Sequence, residues 1–484
     1  MALKTILFVL LLFFFLVGGF FNPVIGILGY LLHYIIGPER QWWHAPLASF
    51  GIRYSLVLAL ITAAGMAINH AKLRYGKLLL TQEKLALIML ALIWLLTFTS
   101  PETVGRYTVT DHASVKITKV MIFCFMMTHV ITQMKDLDKI FWLLIVGSLI
   151  LGIQAFNLPR RAFTGGRLDA VVGGSDFLDA NALGAFMVAA VSVTGAMFMR
   201  ACWWQKILCL AAGMFSINTL VLSRSRGALV ALCAAGIAII LGSPKRFRIK
   251  LLVGLIVAAA GTIYLSDPQF IARISKIDEH TNAIIEGREA TDRSTMMRIM
   301  AWRGGIQMAM DHPFGVGPGN FNQYIGEYSP EVQGLSPHST YIQCLAELGF
   351  PGLTLFIIIL GNGLWTFRKI LRKTGTLPEP ERSKMQWTAC GLMGSFVGYA
   401  AYGLTGHLMY AEVFWWYLMM PMCLERSYEN AYQDLIESRG ADEVDRSRSG
   451  FKGDRQPLKN SADAFAIKKS TPTAQQSSAS KSTI

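Results

Sequence analysis

Residues 206–242 read KILCLAAGMFSINTLVLSRSRGALVALCAAGIAIILG, which is two apolar runs separated by the short basic segment SRSRG. Each run approaches the roughly 20 apolar residues that a helix needs to cross a bilayer. The residues that follow, SPKRFRIK at 243–250, are strongly basic. Apolar runs that alternate with short basic connections are typical of a polytopic membrane protein.

The composition of the whole chain agrees with this interpretation. The 484 residues are 53% hydrophobic and only 16% charged, with a net charge of +14. Soluble globular proteins have about a quarter of charged residues, so the composition argues against a soluble enzyme and against a disordered chain. The basic balance does not predict nucleic-acid binding, because long charge-free stretches separate the lysines and arginines instead of one face carrying them.

Similar apolar runs recur along the chain and predict an all-α polytopic integral membrane protein with about 12–13 transmembrane helices. The first two runs are joined only by residues 21–23, so they are either two tilted helices or one broken unit. The N-terminal run lacks a small-residue cleavage site and is expected to be retained. The predicted spans are 5–20, 22–36, 52–69, 84–100, 116–132, 139–156, 180–199, 206–222, 227–242, 249–265, 352–367, 387–405 and 408–424.

The basic residues predict the orientation of the helices. They concentrate in alternate connections, which the positive-inside rule assigns to the cytoplasm, so most of the net charge is a topology signal. The intervening connections, with the long segment 266–340, then face the opposite side of the membrane. The lysine-rich connections lie at 72–84, 135–139, 200–206, 245–250 and 368–384.

The chain is expected to have five parts. Segment 266–340 holds aromatic residues and Gly-Pro turns, which favour an ordered loop domain. The last 60 residues are rich in Ser, Lys, Asp and Gln and are expected to form a disordered cytoplasmic tail. The predicted parts are N-terminal transmembrane helices at 1–130, central transmembrane helices at 131–265, the extracytoplasmic loop domain at 266–340, C-terminal transmembrane helices at 341–424 and the tail at 425–484.

Common metal and nucleotide motifs are missing from the sequence. The seven cysteines are odd in number and form no CxxC pair, which indicates neither a disulfide framework nor a metal site. The sequence has no GxxxxGK[ST] loop, so ATP is not expected as the energy source. We therefore expect no metal and no cofactor.

The SRSRG segment is the first candidate site. It places Arg224 and Arg226 at the outer boundary of the membrane, where the positive-inside rule does not explain them. Arginine binds phosphate in a forked geometry and keeps its charge, so the pair is suited to a lipid pyrophosphate. Two arginines in this position are also typical of side chains that reach for phospholipid headgroups.

The second candidate site is a helical segment that reads TMMRIMAWR at 295–303. Arg298 and Trp302 are one helical turn apart and can touch. They could form a phosphate ligand backed by an aromatic wall, or an ordinary cation–π pair on a surface helix.

The third candidate site joins a glycine-rich turn to a histidine. Residues 311–321 read DHPFGVGPGNF, a compact turn set and not a dinucleotide-binding fingerprint. His338 precedes a helix that should begin at Ser339 or Thr340 and break at residues 350–352. A neutral imidazole there can accept a proton from a hydroxyl, although a lone histidine often bonds a backbone carbonyl instead. Arg226, Arg298 and His338 are all predicted on the same face of the membrane.

Together these segments resemble the O-antigen ligase and polymerase superfamily. The resemblance covers residues 180–365 through SRSRGALVAL, RIMAWRGGIQMAMDHPFGVGPGNF and HSTYIQCLAELGFPGLTLFIIIL, in that order. The sequence DAN at 179–181 resembles the Asp-x-Asn entry to a span in that family. Residues 1–130 are similar to O-glycosylation ligases associated with the exosortase system, although GPER at 37–40 stands where those proteins have Met-Asn-Pro-His-Arg.

The resemblance implies a transferase of the bacterial inner membrane whose site faces the periplasm. Such enzymes move a glycan from undecaprenyl pyrophosphate to an acceptor hydroxyl on a lipid or a protein, without ATP or a required metal. By position, Arg226 and Arg298 would bind the pyrophosphate, with Arg224 as an alternative to Arg226, and His338 would be the base. The expected supporting residues are Trp302, Gly317, Gly319, Asn320 and Asn181.

Two other functions remain open from the sequence. A polymerase that joins lipid-linked repeat units shares the donor chemistry and differs in the acceptor. A lipid-linked glycan transporter or flippase would more typically show internal inverted repeats and broken helices at the middle of the membrane.

Overall fold

The apolar runs of the sequence fold as helices. The computed structural model describes residues 3–100, 112–164, 167–168, 172–177, 179–265 and 293–448. Each predicted span coincides with a helix in these ranges. The helices are α1 (Leu3–Phe21), α2 (Pro23–Ile36), α3 (Ala45–Ala48), α4 (Tyr54–Ile68), α5 (Thr81–Thr99), α6 (Ala113–Val130), α7 (Met134–Phe156), α8 (Ala180–Phe198), α9 (Trp203–Ser223), α10 (Arg226–Gly242), α11 (Lys245–Leu265), α12 (Arg293–Asp311), α13 (Phe321–Tyr328), α14 (Thr340–Lys373), α15 (Glu381–Tyr402) and α16 (Glu412–Arg448).

The predicted all-α membrane architecture is confirmed. Within the described ranges, seven helices are long and apolar enough to cross a membrane, namely α1, α5, α6, α7, α8, α9 and α14. Helices α4 and α10 are apolar but shorter. The total of 12–13 spans stays a prediction. The strands of the described part form one small antiparallel hairpin, β1 (Phe163–Thr164) with β2 (Arg167–Leu168).

The first two apolar runs form two helices instead of one broken unit. Asn22 separates them and caps α2, because its side-chain oxygen accepts a hydrogen bond from the backbone N–H of Val24 at 3.1 Å. An Asn cap followed by Pro23 is a favoured helix start. The two helices pack closely, since a Cβ added to Gly19 would lie 2.9 Å from the backbone α-carbon of Gly26.

The boundary of the C-terminal tail is corrected. A tail was expected from residue 425, but α16 continues as a helix to Arg448, and Arg426 is only 1% exposed. The Arg426 guanidinium binds both carboxylate oxygens of Glu83, at 2.6 and 2.9 Å, and also donates to backbone carbonyls. This buried pair holds a polar stretch in the folded protein, which composition alone could not predict. Residues 449–484 lie outside the described residues.

The chain divides into two units, Met1–Leu435 and Ile436–Ile484. In the second unit the structure describes residues 436–448, which are helical.

The expected loop domain at 266–340 stays a prediction, and its described part begins at residue 293. Residues 266–292 lie outside the described part, and α12 and α13 follow. These helices pack on the start of α14 through a small apolar core of their own. Its buried residues are Ala301, Met308, Val316, Phe321, Ile325, Val332 and Ala346.

The break in α14 lies at Gly349, one residue before the predicted 350–352. Its φ of 69° is left-handed, and a Cβ there would lie 2.2 Å from the carbonyl oxygen of Pro313. Glycine alone allows both that backbone and that close approach. The next N–H, of Phe350, donates to the same Pro313 carbonyl at 2.9 Å. The glycine-rich turn therefore packs against α14 at this break.

Candidate functional site

His338 occupies a backbone conformation that its neighbours fix. Its φ is 47°, in the left-handed region that few residues other than glycine adopt. On one side the indole N–H of Trp302 donates to the carbonyl of Pro337 at 2.8 Å. On the other side Ser339 caps α14 by accepting from the N–H of Ile342 at 3.4 Å. Such strain persists where the surroundings over-determine it, which is common at functional sites.

Thr340 joins the segment of His338 to the loop between α15 and α16. Its N–H donates to the carbonyl of Gly403 at 2.7 Å. Its hydroxyl donates to the carbonyl of Gly406 at 2.7 Å and accepts from the N–H of Leu408 at 2.9 Å. The last two bonds bracket His407, whose ring centroid lies 5.4 Å from that of His338 at an interplanar angle of 70°. The fold therefore brings together two histidines that are 69 residues apart in the sequence.

The surroundings of His338 keep its imidazole neutral. Burial lowers its pKa to about 4, and the positive charge of Arg298 adds to this effect. Arg167 lowers the pKa further, whereas Asp179 opposes the shift. A group with this pKa is almost entirely unprotonated at pH 7, so its ring can accept a proton. Arg298 therefore lies within electrostatic range of His338, and their common role in one site stays a prediction.

Arg226 reaches the helix that carries Arg298. It is the first residue of α10, and one of its terminal nitrogens donates to the hydroxyl of Thr295 at 3.5 Å. Thr295 lies one turn before Arg298 on α12. Ser225 caps α10 by accepting from the N–H of Ala228 at 3.3 Å. The positive end of the α10 dipole therefore lies beside Arg226, as in many anion-binding sites.

The tight packing of Gly227 places α10 against the loop between α15 and α16. A Cβ added to Gly227 would lie 2.0 Å from the hydroxyl oxygen of Thr405. The glycine of the SRSRG segment therefore allows a close approach between α10 and the loop that carries His407.

The two arginines of the SRSRG segment differ in position. Arg224 ends α9 in a left-handed conformation with φ of 47° and is 9% exposed. Arg226 is more exposed and lies against α12. Arg167, on β2, supports the same turn by donating from Nε to the carbonyl of Ser223 at 3.1 Å. Arg226 contacts the helix that carries Arg298, and Arg224 stays the alternative in the prediction.

The glycine-rich turn lies on α14 at Glu347. The N–H of Gly317 donates to the carbonyl of Glu347 at 3.0 Å, and the N–H of Gly319 donates to the Glu347 carboxylate at 2.9 Å. The side chain of Asn320 donates to the carbonyl of Val316 at 2.9 Å. Glu347 lies two turns along α14 from Thr340, about 10 Å away at 1.5 Å per residue. These residues hold the loop domain on the membrane helices.

Asp179, and not the predicted Asn181, acts electrostatically on the site. The Asp179 carboxylate caps α8 by accepting from the N–H groups of Asn181 and Ala182, at 2.7 and 2.9 Å. Its charge acts on both His338 and His407. In the sequence, an Asp before an apolar run is a helix-start signal that could have drawn attention to this carboxylate.

Sequence motifs did not identify Arg167, Asp179 and His407 as site residues. Arg167 and Asp179 lie in the connection between α7 and α8, and His407 lies in the connection between α15 and α16. Nothing in the sequence spacing links these connections to His338. Tyr402, at the end of α15, lies within electrostatic range of Asp179, Arg298 and Arg167. In the ranges that the structure describes, no three His, Cys, Asp or Glu side chains are grouped so as to hold a metal ion.

The fold and the site define a multi-pass membrane protein with cationic and imidazole groups gathered at one end of its helices. Residues 211–357 match the family model described as O-antigen ligase. The match covers Arg224, Arg226, Arg298 and His338, and it supports the O-antigen ligase superfamily and a membrane glycan ligase or polymerase acting on lipid-linked glycans. A comparison with curated proteins gave no match. The finer relation to the exosortase-associated group stays a prediction.

Proposed function

We propose that this protein is an inner-membrane glycosyltransferase that moves a glycan from an undecaprenyl-pyrophosphate donor to an acceptor hydroxyl on the periplasmic side. One observation carries the proposal. A neutral His338 lies within the field of Arg298, and the helix of Arg298 bonds to Arg226 at the positive end of α10. A base beside an anion-binding group is what transfer from a pyrophosphate donor requires.

Arg226 and Arg298 bind the pyrophosphate in this proposal. Their charges and the α10 dipole meet the negative charge that grows on the leaving group as its bond to the sugar breaks. Arg167 adds a further positive charge to the field around His338. Membrane lipids surround the isoprenyl chain, and the bond energy of the donor drives the reaction without ATP.

His338 is the general base. The acceptor oxygen forms a bond to the anomeric carbon while the bond from that carbon to the pyrophosphate oxygen breaks. The proton of the acceptor hydroxyl passes to the imidazole of His338, and the lipid pyrophosphate leaves with the electron pair of the broken bond. One displacement of this kind inverts the anomeric configuration. Binding of the pyrophosphate offsets the charge of Arg298, which raises the pKa of His338 and makes it a stronger base.

His407 and Asp179 position the base in this scheme. The ring of His407 packs edge-on against His338, and the negative charge of Asp179 favours the imidazolium that forms in the transition state. His407 was not part of the sequence prediction, and Asp179 entered it only as the first residue of the DAN motif at 179–181.

The topology agrees with a periplasmic site. The site groups the start of α8, the end of α9, the start of α10 and the end of α15. The lysine-rich connections lie at the other ends of the same helices, at 200–206, 245–250 and 368–384. The positive-inside rule assigns those ends to the cytoplasm.

Transfer by purified protein tests the proposal. The protein in lipid nanodiscs is mixed with a polyprenyl-pyrophosphate glycan and candidate acceptors. We expect Arg298→Ala and Arg226→Ala each to lower kcat by about 10²–10³-fold, and His338→Ala by about 10²–10⁴-fold. Arg303→Ala, on the exposed side of α12, and His312→Ala are matched controls and should leave the rate unchanged. Near-normal rates in all three site variants would overturn the assignment.

The identity of the product separates ligase from polymerase. A ligase leaves the glycan on the lipid or protein acceptor. A polymerase gives a product that stays linked to the polyprenyl pyrophosphate and lengthens. Transport of the intact donor across the membrane, without any product, would support the flippase alternative.

A further inference from the structure

A cavity lies among the helices at the end opposite the candidate site. It has a volume of about 390 Å³ and lies between α8, α10 and α11, with Trp387 of α15 on its wall. The volume falls in the range of about 300–1,000 Å³ that is usual for small-molecule sites. Its apolar lining includes Phe198, Leu232, Ile239, Leu251 and Leu255.

Glycines keep this cavity open. A Cβ added to Gly195 or to Gly254 would meet no neighbouring atom within 4 Å, although both glycines line the cavity. A Cβ on Gly236, which also lines the cavity, would lie 3.1 Å from Leu255, so α10 and α11 are in contact there. The cavity is therefore a gap between packed helices that side chains do not fill.

The mouth of the cavity is positively charged. Lys250 lines it, and Lys245 and Arg246 lie on the first turn of α11. No acidic residue occurs in residues 243–255. Arg246 lies 4.8 Å from the ring centroid of Phe247, and that ring packs on Trp387 at 5.4 Å. The cations are thereby joined to the wall of the apolar cavity.

We propose that this cavity binds one acyl chain of an anionic phospholipid, whose phosphate is held by Lys250 with Lys245 and Arg246. Basic groups between transmembrane helices near the cytoplasmic surface are suited to anionic headgroups. The apolar lining takes the chain, and the aliphatic stem of Lys250 extends along it. An anionic phospholipid has a long apolar chain that matches the lining and a negative charge at one end that matches the basic mouth.

The charged mouth of the cavity argues against the donor's isoprenyl chain as the occupant, because that chain carries no charge and, in the proposed function, its pyrophosphate lies at the opposite end of α10. The lining residues of α10 lie six to fourteen residues beyond Arg226, about 9–21 Å along the helix. The charged mouth is at the far end of that stretch, at the start of α11. The proposed lipid site does not depend on the transfer reaction.

Native mass spectrometry of the purified full-length protein tests the site. The protein is titrated with phosphatidylglycerol and, separately, with phosphatidylcholine that carries the same acyl chains. We expect tighter binding of phosphatidylglycerol to the wild-type protein. Lys250→Gln should weaken it about fivefold, the usual weight of one lysine near an anionic surface. Lys77→Gln, an exposed lysine in another basic connection, should not change it.

Filling the cavity tests the place of the acyl chain. Gly195→Leu combined with Gly254→Leu should weaken binding of phosphatidylglycerol at least tenfold. Gly361→Leu is the matched control, because an added Cβ there also meets no atom within 4 Å. An unchanged thermal unfolding midpoint shows that a variant is folded. If the double variant does not fold, the smaller substitution Gly195→Ala replaces it.

Three results would overturn the lipid proposal. The first is equal binding of the two phospholipids to the wild-type protein. The second is unchanged binding in the filled variant or in Lys250→Gln. The third is displacement of phosphatidylglycerol by a polyprenyl phosphate in the wild-type protein but not in the filled variant, which would assign the cavity to a polyprenyl chain.

Discussion

Replacing Thr340 by valine should separate the two histidines while keeping the shape of the side chain. The Thr340 hydroxyl is completely buried, donates to Gly406 at 2.7 Å and accepts from Leu408 at 2.9 Å. Valine fills the same volume but offers neither bond. The loop that carries His407 then keeps only the bond from the N–H of Thr340 to Gly403 among these three.

The expected magnitude follows from the two lost bonds. Each buried hydrogen bond contributes about 1 kcal/mol net, so Thr340→Val should favour the released loop by about 2 kcal/mol. Since about 1.4 kcal/mol corresponds to a factor of ten, the population of the paired histidines should fall relative to the open form by about 30-fold. If the paired arrangement exceeds the open form about twofold in the wild-type protein, its fraction, and kcat with it, falls about tenfold.

Steady-state transfer from a polyprenyl-pyrophosphate glycan measures this effect. Thr340→Ser retains the hydroxyl and is the matched control, with an expected rate within about threefold of wild type because a methyl group is all that it loses. The thermal unfolding midpoint of each variant in detergent shows whether the fold is intact. A Thr340→Val enzyme that works as fast as Thr340→Ser, with both folded, would refute the claim that this loop positions the site.

Three further predictions concern other parts of the molecule. Arg426→Ala should destabilise the protein by about 3–5 kcal/mol, because it leaves Glu83 charged and unpaired in the interior, and chemical unfolding in detergent should show partial recovery in an Arg426→Met/Glu83→Leu double variant. Trp302→Phe should remove one hydrogen bond of about 1 kcal/mol and lower kcat about fivefold, with an unchanged KM for the donor. Steady-state kinetics measures both constants, and a fivefold rise in KM instead would contradict this prediction. Because the pKa of His338 is lowered to about 4, its neutral form is lost only as the pH falls through that value. We therefore expect titration of His338 to leave kcat/KM level from about pH 8 to pH 5.5. Arg298→Ala removes a positive charge and so raises the pKa of His338, which should move the acid limb of kcat/KM to higher pH. An acid limb near pH 6.5 in the wild-type enzyme, the ordinary value for histidine, would contradict the neutral-base role.

The helices were predictable because one strong signal determines them. Each needs a long apolar run, and short polar connections mark where the run stops. The break at Gly349 was predictable as well, since Gly and Pro interrupt a helix wherever they occur together. The end of the membrane part was not predictable, because Arg426 and Glu83 are buried only as a pair, and their 343-residue separation leaves no trace in local composition.

The site was predictable in part. Motifs within three separate segments predicted Arg226, Arg298 and His338, and their roles stay predictions. The structure describes an electrostatic effect of Arg298 on His338 and a hydrogen bond from Arg226 to Thr295. His407 and Arg167 were missed because they belong to other connections that meet His338 only in the folded chain. The glycine-rich turn was predicted as part of the site, and that role stays a prediction. In the structure Gly315 allows a close approach to Glu347 of α14 and Gly317 a close approach to Ser100.

Single-turnover transfer tests the central claim most directly. Donor is bound first to wild-type protein and to His338→Ala, acceptor is added, and the appearance of product is followed before the enzyme turns over again. The proposed mechanism predicts that both proteins bind the donor with similar Kd, because the arginines are intact, and that transfer in His338→Ala is slower by about 10²–10⁴-fold. Equal single-turnover rates for the two proteins would contradict His338 as the base, and a wild-type protein that binds donor but transfers to no hydroxyl would contradict the glycosyltransferase itself.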